Sequence, residues 1–122
     1  MTKVVLGLMA VGVMSAAVAQ GVPKERALIA FMRVKPGTEG QFLAEAKEVI
    51  EKSRQEAGNI RYQLHRSVAN PQQFAFYELY ETHEDLELHK NAPHLKAFLE
   101  RTKPITVEFT LDEYVPEGGL QQ

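Results

Sequence analysis

The chain has 122 residues, 14 Lys and Arg against 16 Asp and Glu, a net charge of −2, and no cysteine. No basic patch interleaved with aromatics is present, which argues against a nucleic-acid partner. Without Cys there is no disulfide, no thiolate nucleophile and no Cys-ligated zinc or iron–sulfur site, so the fold must hold by burial alone.

The first residues, MTKVVLGLMAVGVMSAAVAQ, open on Lys3, run apolar from Val4 to Met14 and end in small residues at Ala17-Val18-Ala19. That is the layout of a secretory leader over residues 1–19, expected to be cleaved after Ala19 with export to the periplasm or beyond. A run of about 11 apolar residues falls short of the roughly 20 that span a bilayer, so a leader is preferred to an uncleaved anchor. Cleavage removes Lys3 and leaves 13 basic against 16 acidic residues. The remaining chain of about 100 residues is enough for one modest core, and no membrane contact is expected of it.

Residues 20–25 read as a flexible lead-in, 26–115 as the domain, and 116–122 (PEGGLQQ) as a loose tail. RALIAFMRV (26–34) is apolar almost throughout and predicts a strand covered on both faces. Pro36 and Gly37 end it. Thr38 and Gln41 form a capping-box pattern, and Phe42, Ala46, Val49, Ile50 and Ser53 then recur at helical spacing. Charged residues from Glu45 to Glu56 fill the wet side, and Gly58 stands where a helix C-terminal glycine is expected. IRYQLHRSV (60–68) alternates, with Ile60, Tyr62 and Leu64 on one face. After the turn ANPQQ, FAFYELYE (74–81) places Phe74, Phe76, Glu78 and Tyr80 together, which completes a hairpin. Thr82 and Asp85 open a second helix that runs to about Lys90, breaks near Pro93 and resumes through Leu95, Phe98 and Leu99. ITVEFTLDEYV (105–115) predicts the last strand.

The order β-α-β-β-α-β is the ferredoxin-like α+β arrangement, a four-stranded antiparallel sheet with its helices on one face. Two helices cover only one face, while the strands are apolar on both, so a homodimer packed sheet to sheet is expected.

VKPGTEGQF, GNIRYQLHRS, NPQQFAFYELYETHEDLELHKNAPHLKAF and the closing DEYV together resemble the antibiotic biosynthesis monooxygenase family, small dimeric α+β barrel proteins that include quinol monooxygenases. The most specific part is the succession Gly58, Tyr62, Pro71, Phe74, Glu78, Tyr80, His89, Pro93-His94 and Phe98. The resemblance implies oxidation of a small quinol or phenolic compound by dioxygen with no flavin, haem or metal. The family's motif carries over onto Glu78, Tyr80, His89 and His94. Two positions depart from it: Tyr80 stands where many members have Trp, and Asn59 where Cys is frequent. No glycine-rich nucleotide loop contradicts a cofactor-free reaction.

Each candidate has a plainer alternative. His89 lies three residues after Leu86 and points toward the sheet, either as general base or as a core-edge histidine bonded to a strand or to Glu78. Glu78, in an aromatic strand face, is a second catalytic group that orients His89, or an ion-pair partner for Arg33, Arg61 or Arg66. Tyr62, Tyr80, His94, Phe98 and His65 are the candidate substrate-binding residues. Against those roles, His94 can cap a helix, His65 can lie at a dimer interface or in solvent, and the aromatics can be core. His83, in the first turn of a helix, is expected to be exposed. His89 and His94 are five residues apart, about 140° around a continuous helix. With no third carboxylate or Cys at obvious ligand spacing, this argues against a metal clamp. Two other readings stay open on the same architecture: a non-catalytic binding or stress-related protein, and a haem-binding or haem-degrading relative.

Overall fold

Alternation of apolar side chains sets the frame, and the elements follow it in chain order. They are β1 (Arg26–Val34), α1 (Glu39–Arg54), β2 (Asn59–Arg66), β3 (Gln73–Tyr80), α2 (His83–Lys90), α3 (Pro93–Thr102), a 3-10 turn (Lys103–Ile105) and β4 (Thr106–Tyr114). The structure, a computed structural model, describes residues 24–118. The leader expected over 1–19, and most of the segments 20–25 and 116–122, lie outside the described residues.

The sheet is antiparallel in the order β2-β3-β1-β4, the ferredoxin-like α+β topology expected. Leu28, Ala30 and Met32 pair with Glu78, Phe76 and Phe74, and all six are buried on the helix face. Against them pack Phe42, Ala46 and Val49 of α1 and Phe98 of α3. Phe42 is the hub: its ring centroid lies 4.4 Å from Phe74, 5.7 Å from Phe98 and 6.4 Å from Phe76. Fully burying a side chain of this size is worth about 1.5–3 kcal/mol, so this cluster supplies much of the stability available to a small domain.

Several local expectations are corrected. Thr38 makes no side-chain cap to α1; its hydroxyl donates back to the Lys35 carbonyl at 2.6 Å. Helix α1 stops at Arg54 with Gln55 as its cap, so Gly58 is not the terminating glycine. Gly58 is instead buried where a Cβ would fall 2.1 Å from Asp85 Cγ. Its missing side chain lets the chain leave α1 and run hard against the start of α2. Ile60 is exposed, because the ladder slips between Asn59 and Arg61 and the bulge turns it away from Tyr62 and Leu64. The Thr82 cap is as expected: its hydroxyl accepts from the Asp85 amide at 3.1 Å.

The opposite sheet face carries Ile29, Phe31, Tyr77 and Leu79, with Phe31 45% exposed. No helix among the described residues is long and apolar enough to cross a membrane.

Candidate active site

Three chain segments meet at one ring. Leu86 and His89 lie one helical turn apart on α2, and both are buried against the sheet. Asn91 and Ala92 end that helix and Pro93 starts α3, its fixed φ suiting the first helical position. The break brings the His94 ring to 6.1 Å from His89, although the two are five residues apart in sequence. Glu56, two residues past the end of α1, places its carboxylate between them. It lies 2.9 and 3.1 Å from His89 Nδ1 and 2.5 Å from His94 Nε2.

On its other side His89 faces the sheet. Nε2 is buried, 3.4 Å from Glu78 Oε1, and not aligned with it as a hydrogen bond. The Tyr80 hydroxyl donates to that same Glu78 oxygen at 2.7 Å. The Tyr62 and Tyr80 rings flank the imidazole at 5.4 and 5.3 Å between centroids. The polar line therefore runs Tyr80, Glu78, His89, Glu56, His94, from beneath the helices to a partly exposed end. A carboxylate on Nδ1 fixes the ring with its proton there and leaves Nε2 as the basic nitrogen.

Burial pushes the Glu78 carboxyl up to about 7, with Glu56 adding in the same direction and His89 and the Tyr80 hydroxyl opposing. Burial, together with the Glu78 charge, also holds the Tyr62 and Tyr80 hydroxyls well above their ordinary range. Between about pH 4.5 and 7 the folded chain keeps a proton on Glu78 that the unfolded chain has released. This group's contribution is thus most favourable below about pH 4.5 and falls by about 3 kcal/mol as pH rises through 7. Glu78→Gln, neutral throughout, is expected to flatten that fall. Urea titrations of both proteins from pH 4 to 8 in chelator-treated buffer measure the difference, and equal pH slopes would show that Glu78 is not held protonated.

Beside His89 lies a small cavity of about 50 Å³, walled by Leu28, Tyr62, Phe76, Glu78, His89 and Phe98 among others. That is room for a few waters and not for an aromatic ring. It adjoins a cleft of about 560 Å³ between α3 and β4, rimmed by Lys96 and Lys103. Met32, Leu99 and Phe109 belong to both. Phe109 is 41% exposed, so it is the side chain most free to swing and join the two spaces.

The expected residues divide accordingly. His89, Glu78, Tyr62 and Phe98 meet at the cavity. Tyr80 and His94 stand one contact behind it, through Glu78 and Glu56. His65 pairs with Ala75 on the other sheet face, exposed and away from the site. His83 is exposed as expected and pairs with Glu113 at 3.1 Å. Glu78 has neither Arg33, which binds Glu108, nor Arg66, whose Nε donates to the Pro71 carbonyl; its partners are Tyr80 and His89. The group nearest to orienting His89 is Glu56, which sequence reasoning placed on a solvated helix face. Its one signal in the sequence is its place two residues before Gly58, where the helix is expected to end.

These features define a ferredoxin-like α+β domain with a buried histidine held between two carboxylates at the wall of an apolar cavity. The chain belongs to the antibiotic biosynthesis monooxygenase family, whose model matches residues 26–101. It is 30% identical over 78 residues to the Bacillus subtilis protein named "Putative monooxygenase YcnE", covering 64% of this chain and 82% of that one. Among solved structures, the Nitrosomonas europaea protein named "Putative antibiotic biosynthesis monooxygenase" superposes with a TM-score of 0.74 at 24% identity, covering 77% of this chain and 91% of that chain. PA3566 of Pseudomonas aeruginosa gives 0.71 at 25% identity, covering 76% and 94%.

Proposed function

We propose that this protein oxidises a small quinol or phenol with dioxygen, without a cofactor, using His89 as the general base. The observation that carries the reading is the asymmetry of the His89 ring, which lines the cavity: Nδ1 is held by Glu56, while the buried Nε2, 3.4 Å from Glu78 Oε1, makes no hydrogen bond. With Phe109 swung aside, a substrate ring in the adjoining cleft brings its hydroxyl to His89 and loses the proton to Nε2. The imidazolium so formed lies against the Glu56 carboxylate, whose negative charge stabilises it, with Glu78 on its other side. The phenolate is the electron donor to dioxygen. For a hydroquinone, one oxygen atom enters the ring and the other leaves as water, giving a hydroxyquinone. All four electrons come from the substrate, so no external reductant is needed. Tyr62, Phe76 and Phe98 keep the space dry around the reactive anion.

Oxygen uptake with a panel of hydroquinones tests this, with ¹⁸O₂ to follow the inserted atom. The expected result is uptake above autoxidation and one labelled oxygen in the product. Uptake no faster than autoxidation for every quinol would remove the reading.

The working form we propose is a homodimer that covers the uncovered sheet face with Phe31 and Tyr77. Sedimentation is expected to give twice the chain mass, and a clean monomer at micromolar concentration would contradict it.

A further inference from the structure

The geometry points to a binding site for a zinc-like divalent ion formed by Glu56, His89 and His94. The donor atoms are Glu56 Oε2, His89 Nδ1 and His94 Nε2, all within 4.8 Å of one another. Two imidazoles and one carboxylate are a fitting set for zinc, with a fourth position left for water. Tetrahedral zinc with bonds of about 2.0–2.1 Å separates its ligand atoms by about 3.3 Å. Here the two nitrogens stand 2.9 and 2.5 Å from the carboxylate oxygen, so each of these two separations has to widen by less than about 1 Å for the ion to replace the ring protons. Glu56 is the ligand able to give way, being partly exposed and outside the helix.

Three further observations fit. The far nitrogen of His89 faces the Glu78 carboxylate, the outer-sphere partner that metal-bound histidines commonly have. Among the described residues, the ion pairs of Glu56 are to the two histidines alone, so no Lys or Arg neutralises it. Glu56 also walls a surface cavity of about 190 Å³ with Gly58, Asp85 and Leu88, a route for the ion separate from the cavity beside Glu78. The other histidine–carboxylate group, His83 with Glu87 and Glu113, differs on this point. Lys90 Nζ lies 3.1 Å from Glu87 and 3.4 Å from Glu113, so a cation already serves it.

One consequence rests on the reading of His89 as the base. Zinc on Nδ1 leaves the ring proton on Nε2, so the nitrogen that would take the substrate proton becomes a donor. Zinc is then an inhibitor of the oxidation.

The test uses the whole, chelator-treated protein titrated with Co²⁺, read by the ligand-field bands of tetrahedral cobalt, and with Zn²⁺ by calorimetry. One ion per chain is expected. His94→Ala and the near-isosteric Glu56→Gln should each weaken binding by at least about tenfold, and His83→Ala should leave it unchanged. Far-UV circular dichroism selects variants that are folded, and Glu56→Gln serves should His94→Ala fail. No saturable binding to the wild type, equal binding by the folded variants, or loss on His83→Ala would each overturn the site. Zinc inhibition of oxygen uptake is read separately. Intact binding with undiminished uptake would leave the metal site standing and remove His89 as the base.

Discussion

His89→Ala is expected to lower kcat/KM for any quinol turned over by about 10²- to 10⁴-fold, mostly through kcat. Tyr62, Phe76 and Phe98, which form the apolar walls, are untouched by the change, so KM should move little. Glu56→Gln is expected to cost less, because the amide can still meet Nδ1 while losing the charge that steadies the imidazolium. Uptake assays on variants checked for native circular dichroism give both numbers. The check matters because His89 is buried, and its loss leaves Glu78 and Glu56 facing each other across a hole. If the folded His89→Ala protein retains wild-type kcat, the ring is structural.

Phe42→Ala is expected to be the most damaging core substitution, at about 3–5 kcal/mol. Phe42 has no exposed surface and joins α1 to Phe74 and Phe76 of β3 and to Phe98 of α3. Neither the sheet nor α3 can close the void without losing its other contacts. Against a total stability of about 5–15 kcal/mol, such a loss leaves a marginal fold. A urea midpoint lowered by more than about 1 M would bear this out, given slopes of about 1–3 kcal/mol/M. A midpoint within a few tenths of the wild type would mean that Phe42 is not the hub its contacts describe. Phe98 reaches both this cluster and the cavity, so residual activity should fall with stability.

Much of this molecule was legible in its sequence because the information is local. The apolar run 26–34 gives β1 at its observed limits. The two-residue period of FAFYELYE assigns Phe74, Phe76, Glu78 and Tyr80 to one face, and all four are buried. Pro93 marks the helix break, and Leu86 with His89 marks the buried side of α2. Glu56 was not legible. It lies 33 residues from His89 in sequence, and its neighbours Glu45, Lys47, Glu48, Glu51 and Lys52 read as a solvated stripe. Only the early stop of α1 and the tight passage at Gly58 turn its carboxylate toward His89 and His94. The third carboxylate beside His89 and His94 was not legible for the same reason. No carboxylate stands at ligand spacing along the local chain, and Glu56 reaches the two histidines from the segment that follows α1.

The claim on which the function rests is that His89 carries its proton on Nδ1 and offers Nε2 to the cavity. Long-range ¹H–¹⁵N NMR of the imidazole nitrogens, on metal-free protein near neutral pH, reads this directly. The account predicts a neutral His89 ring with a protonated Nδ1 and an unprotonated Nε2 that responds when a phenol is added. A neutral ring protonated on Nε2, in wild-type protein free of metal, would contradict it.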